Sequence, residues 1–419
     1  MNRRFNFSRR MLSVAPLIAC FFLVCGPGMA RDYRFDGSMP EEVLRNYLSR
    51  SMTLMYLLLD RGNLDDDIRM MTNCGVKFAG RTIYDWGREE GGESALPQKL
   101  ARAREDAAKV HAADSEIILQ ACVFEIISSD VDKLPVPAWV FQELGQPVQA
   151  RNFRYDDIIY RDGTGRNRWG QGASVPDVSQ TETKLWFFYL AASYINVGCE
   201  AIHFGQAELM NKRDPNSDNW FAILNAVRNY AQKHARRHFV LCDAHVPGGG
   251  LRRGGKLLFD FHSFPLRIEE LPERPQQAQL RVGYTDAIYG RSKGGLTPSG
   301  WRCDHLPYLV EFDNYGRSRR PGQPGMGTFW VWGWDEITWF SQQPENYRDE
   351  WLRYAWNWVR DHDTAGYLEM PGCRCLSGTP DGKRWYYVNQ PSTATPDGFG
   401  QEQTIHAIWA ADAAHAPGK

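Results

Sequence analysis

The sequence predicts an α/β chain wound as a (β/α)8 TIM-type barrel, a single domain with long loops on its active-site face. Three observations predict it. Short apolar runs alternate with longer amphipathic ones from Pro40 onward, the pattern of βαβ units in a parallel sheet. Counting one weak run there are eight, the number a closed barrel needs. No G-x-G-x-x-G or P-loop follows any of them, which leaves an open doubly wound sheet, the runner-up, without its usual nucleotide turn; Gly248-Gly249-Gly250 reads as a flexible connection.

In chain order, the N-terminus comes first. Arg3, Arg4, Arg9 and Arg10 precede the apolar run Met11 to Val24 and the small-residue ending Gly28-Met29-Ala30, so a cleavable export signal over residues 1–30 is expected. The run is too short to span a bilayer, and no later one is long enough, so a soluble mature chain without a transmembrane segment is expected, periplasmic or extracellular. Ser8-Arg9-Arg10 resembles a twin-arginine start, but Leu12-Ser13 matches the rest poorly; Leu17-Ile18-Ala19-Cys20 resembles a lipoprotein box, but apolar residues continue beyond Cys20, so simple cleavage fits better. Helical spacing follows over Glu41 to Leu59. The strand-like runs are Val76–Arg81, Ile117–Phe124, Ala201–Glu208, Phe239–His245, Leu257–His262, Tyr308–Asp313 and Gly366–Glu369, with Asp286–Tyr289 weaker. Helical patterns over Leu96–Ala113, Thr181–Val197, Asn219–His238 and Tyr347–His362 separate them. Two long irregular segments, Gln149 to Pro176 and Ile268 to Pro307, are expected mostly on the active-site face.

Composition narrows the function. The 419 residues carry 49 Lys+Arg against 50 Asp+Glu, interspersed, so there is no electrostatic footprint for a nucleic-acid partner. Loss of residues 1–30 removes four arginines and no acid, making the chain more acidic still. Seven cysteines remain after residue 30. Cys122, Cys199 and Cys242 lie in apolar stretches as small core residues, whereas Cys303, Cys373 and Cys375 lie in polar loops where a bridge is possible. Without paired C-x-x-C motifs a structural zinc site is not expected.

The chemistry-bearing pattern is that nearly every strand-like run ends on an ionisable or amide residue: Arg81 and Asp85, Gln120 and Glu125, His203, Gln206 and Glu208, Asp243 and His245, Asp260 and His262, Glu311 and Asp313, and Glu369. Barrel enzymes draw their functional groups from those ends; a self-satisfied polar rim is the bland account. Period-two alternation places Asp243 with His245, and Asp260 with His262, on shared faces. Two Asp-x-His ends would then point into one cavity, either to bind a polyhydroxylated ligand or, less readily, to hold a divalent metal; with no H-x-H or H-E-x-x-H motif, no cofactor is the favoured reading.

At Glu208, ending Ala201 to Glu208, and Glu311, in Leu309-Val310-Glu311-Phe312-Asp313, the chain resembles the TIM-barrel glycoside hydrolases. The resemblance implies an exported enzyme acting on a poly- or oligosaccharide, with Glu208 as acid/base and Glu311 as nucleophile or base. Alternation puts Glu208 out of phase with His203, which requires a bulge or a position beyond the strand. Trp301, Trp332 and Trp334, with Trp330, Trp339 and Trp385, sit in or beside late loops as candidate stacking platforms for the carbohydrate. Arg81, Gln120, His203, Gln206, Asp243, His245, Asp260, His262, Asp313 and Glu369 are candidate substrate contacts. Arg302, Arg317, Arg319, Arg320 and Arg374 would serve an anionic glycan as a minority preference. Two alternatives remain: a metal-dependent hydrolase using Asp243, His245, Asp260 and His262, and a non-catalytic glycan-binding barrel.

Overall fold

The computed structural model describes residues 31–59, 61–87, 92–325 and 327–414. The expected export segment, residues 1–30, lies outside them. Parallel strands β1 (Ser51–Leu54), β2 (Phe78–Ile83), β3 (Ile118–Cys122), β4 (Ala201–Gln206), β5 (Leu241–His245), β6 (His262–Pro265), β7 (Tyr308–Glu311) and β8 (Gly366–Leu368) stand side by side in that order. One residue after β8 the chain enters β9 (Met370–Cys375), which pairs in parallel with β1, while β10 (Trp385–Tyr387) folds back on β9. The sheet curls so far that β8 bonds to β7 and β9 bonds to β1, with only Glu369 between the two pieces. Glycine makes the last pairing fit, because a Cβ on Gly372 would lie 2.6–2.7 Å from Leu54, Met52 and the Thr53 carbonyl.

Helices α1 (Glu41–Leu48), α2 (Leu64–Cys74), α3 (Leu96–Ala113), α4 (Thr181–Val197), α5 (Asp218–His234), α6 (Glu345–His362) and α7 (Glu402–Ala414) complete the frame. Local signals set their ends: Asn63 accepts from the Asp66 amide to start α2, and Gly75 and Gly198 take the left-handed conformation that stops α2 and α4. Among the described residues no helix is long and apolar enough to cross a membrane. Apolar residues form a large cluster between sheet and helices, a small one of Cys122, Phe124, Ile126 and Ala173, and one at the strands' N-terminal ends. There Phe78, Ile118, Ala201, Leu241, Phe261 and Leu309 meet Tyr33, Phe35 and the apolar face of α1.

Four expectations change. Helical spacing was read through to Leu59, but α1 stops at Leu48 and Ser51–Leu54 is the first strand. Asp286–Tyr289 forms no strand. The run Leu257–His262 crosses toward the sheet, so β6 begins at His262 instead of ending there. Alternation fails after β5 and β6, where no helix intervenes. A four-stranded sheet of Arg252–Arg253, Lys256–Leu257, Gly295–Leu296 and Arg302–Cys303 and the pair Glu269–Glu270 with Ala278–Gln279 occupy those connections instead. All seven cysteines of the described residues are free thiols, so none of Cys303, Cys373 and Cys375 is bridged.

Candidate active site

The C-terminal strand ends enclose a cavity of about 410 Å³ lined by Arg81, Glu125, His203, Gln206, His245, Asp313 and Asn314, with Tyr84, Trp86, Phe124, Trp169 and Tyr315 as its aromatic walls. Backbone irregularities aim these groups inward. Arg81 adopts a left-handed φ of 61°, interrupting the register of β2 between Ala79 and Ile83 and turning its guanidinium to the interior. In β4 the register slips between His203 and Gln206, at Gly205 with φ 43°. A Cβ there would sit 2.1 Å from Glu125 Oε2, so only glycine lets this carboxylate lie against β4. Glu125 then accepts from the Gln206 amide at 2.9 Å and its side-chain Nε2 at 2.5 Å.

Beneath the cavity lies a charged floor. Glu311 is buried and accepts from four donors. Arg81 holds both of its oxygens, and Arg374 Nη1 and His245 Nε2 add bonds of 2.9 and 3.0 Å. Burial pushes this carboxyl up, but Arg81 and Arg374 outweigh burial and hold it well below the usual range. Arg374 also reaches Asp313 at 3.2 Å and Asn314 at 2.7 Å. Glu369 lies beside this group, accepting from Ser51 Oγ at 3.2 Å over the space left by Gly80; burial and then Glu311 raise it to about 7.

A second network flanks the first. Asp243 accepts from Gln120 Nε2 at 2.8 Å and Ser263 Oγ at 2.7 Å, and lies 2.8 Å from His203 Nδ1. Burial raises Asp243 to about 7 and, with Arg81 adding to the effect, keeps His203 well below the ordinary imidazole range.

The structure thus brings together Arg81, Gln120, His203, Gln206, Asp243, His245, Glu311, Asp313 and Glu369. It separates the others. Glu208 lies past the register slip and beyond β4, as alternation required, yet outside the cavity lining, with both oxygens on the Gly248 amide at 3.0 and 3.1 Å. Asp260 and His262 share a face, but it is the outer one. Asp260 accepts from Arg228 of α5 and the Cys242 amide at 2.9 Å each, and His262 Nδ1 meets Ser292 Oγ at 3.0 Å beneath Gly250. The four residues of the metal reading therefore do not converge, and among the described residues no group of three or more His, Cys, Asp and Glu is placed to hold a metal ion.

The tryptophans move as well. Trp301 packs at the strands' N-terminal ends and donates to the Met39 carbonyl. Trp332 and Trp334 are buried in the loop after β7, Trp332 donating to the Gln277 carbonyl. The long segment Ile268 to Pro307 supplies no cavity residue. Segment Gln149 to Pro176 does supply one, Trp169, whose Nε1 donates to the Glu125 carbonyl at 2.9 Å. Sequence reasoning placed Glu125 among the polar strand ends without giving it a role in the site, and did not single out Asn314, Tyr84, Trp86, Phe124, Trp169 and Tyr315. It gave Arg374 a glycan instead of Glu311.

No protein-family model and no curated protein matches the chain. Among solved structures it is similar to a debranching enzyme from Nostoc punctiforme (10% identity, 91% of this chain and 83% of that one, TM-score 0.44). It is also similar to endo-glycoceramidase II from Rhodococcus sp. (11%, 85% and 77%, TM-score 0.39). A third is a β-galactosidase from Rahnella sp. R3 (12%, 87% of this chain and 56% of that one, TM-score 0.37).

Proposed function

We propose that this chain is a glycoside hydrolase acting on a poly- or oligosaccharide in the cavity at the strand ends. In this reading β8 and β9 are halves of one strand, the curled sheet is a closed (β/α)8 barrel, and β3 and β7 lie opposite each other across it. The observation that carries the proposal is that two carboxylates, Glu125 after β3 and Asp313 after β7, line one aromatic-walled cavity. Hydrolysis of a glycosidic bond needs such a pair, one to protonate the leaving oxygen and one to act on the anomeric carbon or its water. The positive charge of Arg374 lies beside Asp313 and neutral amides lie beside Glu125. We assign Asp313, beside the guanidinium, to nucleophile or base, and Glu125, the other carboxylate of the pair, to proton donor.

Glu311, with every lone-pair direction taken by a donor, acts instead as the buried anion that orients Arg81 and His245 toward the ligand. The rings of Tyr84, Trp86 and Trp169 offer flat apolar faces to a sugar ring. Delivery to the periplasm or cell exterior, read from residues 1–30, belongs to the same proposal.

The test is reducing-end release from a panel of neutral and anionic polysaccharides, wild type beside Glu125→Gln, Asp313→Asn and Glu208→Gln. The expected result is a loss on the order of 100-fold or more in each of the first two variants and near-wild-type rates in the third. Full activity in Glu125→Gln and Asp313→Asn, or collapse in Glu208→Gln, overturns the assignment. Saccharide binding without any hydrolysis would favour the non-catalytic barrel.

A further inference from the structure

His203 carries an atom that the carboxylate chemistry does not use. Its side chain is completely buried, it lines the cavity, and its Nε2 has no hydrogen-bond partner in the protein. Burying an unpaired ring nitrogen is costly, so such atoms call for an explanation. His111 and His262 also bury an unpaired Nε2, but neither lines the cavity.

The rest of the ring is fixed. Nδ1 lies 2.8 Å from Asp243 Oδ2, with Ser263 Oγ donating to the same oxygen. Gln120 cannot turn its amide over, because its oxygen accepts from the Arg81 amide at 3.1 Å; its Nε2 therefore donates to Asp243 Oδ1. The rings of Phe124 and His245, at 6.0 and 4.8 Å, flank the imidazole edge-on. Arg81, His245, Glu311 and Asp313 act on it electrostatically, and Cys122 is its strand neighbour on β3.

We propose that His203 is a specificity-determining residue whose Nε2 hydrogen-bonds one hydroxyl of the sugar in the cavity, and that Asp243 is the positioning residue that fixes its tautomer. The inference rests on the saccharide reading above and names the group through which the sugar is read. A hydroxyl is the ligand group that fits both protonation states of the dyad. With Asp243 ionised, Nδ1–H donates to it and Nε2 accepts from the ligand; with a proton on Asp243, Nδ1 accepts and Nε2–H donates. The neutral imidazole therefore presents either a lone pair or a proton at the same point. A hydroxyl answers both, whereas a carboxylate or an ammonium answers one.

The experiment uses the full chain and p-nitrophenyl α- and β-glycosides of glucose, galactose, mannose and xylose, with monodeoxy analogues of whichever is cleaved. His203→Phe is expected to lower kcat/KM about 10-fold on the parent glycoside and to change nothing on one monodeoxy analogue, the analogue that wild type itself handles about 10-fold worse. An equal loss on every analogue, or no loss at all, overturns the proposal. If His203→Phe does not fold, nitrogen-15 spectra of histidine-labelled wild type decide. The His203 Nε2 resonance is expected to shift when the cleaved sugar is added and to lose that shift with the deoxy analogue, and an unmoved resonance overturns the proposal. A wild type that cleaves none of the glycosides and binds none in the same spectra brings down the saccharide reading and this inference together. A wild type that cleaves them without the His203 coupling brings down this inference alone.

Discussion

Asp243-Ala244-His245 and Asp260-Phe261-His262 share one sequence pattern and have opposite fates. In β5, Asp243 meets His203, Gln120 and Ser263, and His245 meets Glu311. At the start of β6 the intervening Phe261 turns inward instead, packing on Phe78 at 5.7 Å in the N-terminal cluster. Asp260 then faces Arg228, and His262 faces Gly250 of the connection before β6 and Ser292 of the connection after it. The difference teaches that alternation states which residues share a face, never which face it is; a one-residue change of register exchanges the two.

The largest effect separates the charged floor from everything attached to β6. Glu311→Gln leaves Arg81 buried without its counter-charge and Arg374 with Asp313 alone, and is expected to lower stability by about 3–5 kcal/mol in denaturant unfolding. A loss below about 1 kcal/mol would mean that the floor is not the anchor of the β5 side.

Next comes pH. Burial raises Asp243 from 3.8 and Glu369 from 4.5, each to about 7, so the folded chain holds protons that the unfolded chain releases. Their stabilising contribution is complete below about pH 4 and is lost as pH rises through 7. Glu311 works in the other sense, contributing above its unfolded value and losing that only in strong acid. Between pH 5 and 7 each raised group adds up to about 1.4 kcal/mol per pH unit as the pH falls. Asp243→Asn should flatten the melting-temperature profile by its share; an unchanged slope would place that titration elsewhere.

Asp260→Asn sharpens the contrast. Removing the partner of Arg228 is expected to lower stability by about 1–3 kcal/mol while hydrolysis, measured as kcat/KM, stays at the wild-type value. Gly250→Ala probes the same outer face. Its Cβ would lie 2.4 Å from His262 Cε1, and φ is 119°, so a loss of about 1–3 kcal/mol is expected in thermal unfolding, again without a change in kcat/KM. The smallest effect belongs to Glu208→Gln, which weakens two bonds to the Gly248 amide: a change below about 1 kcal/mol is the expected outcome.

Much of the frame was legible because amphipathic period and cap residues are local. The runs that carry Arg81, Gln120, His203, Asp243, Glu311 and Glu369 all deliver groups to the site. What stayed hidden has physical causes. Strand β1 continues the apolar spacing of α1, so periodicity alone could not divide them. Strand β9 contains Pro371-Gly372, which reads as a turn, although the bare glycine is what the approach to β1 requires. Glu125 follows its strand by three residues and gains meaning only from Gly205, eighty residues on, whose missing side chain makes room for it. By sequence alone Asp335-Glu336 reads equally as an acid pair or a helix start. Asp335 caps the helix Glu336–Ser341, and Glu336 accepts from the amides of Leu266, Arg267 and Asp313.

The pairing of β1 with β9 also sets an order of events during synthesis. Met52 and Thr53 find Met370 and Pro371 as strand partners, and Arg31 and Arg50 find Asp412, all more than three hundred residues later in the chain. A growing chain can assemble the neighbours β1 to β5, each joined to the next by a helix, but the first strand keeps one edge unpaired until Met370–Cys375 has been made. Long-range pairing of this kind is slow and leaves that edge open to wrong partners in the meantime. The sheet is therefore completed late, when the segment carrying Glu369 and Arg374 joins the floor of the site and the first strand in the same step.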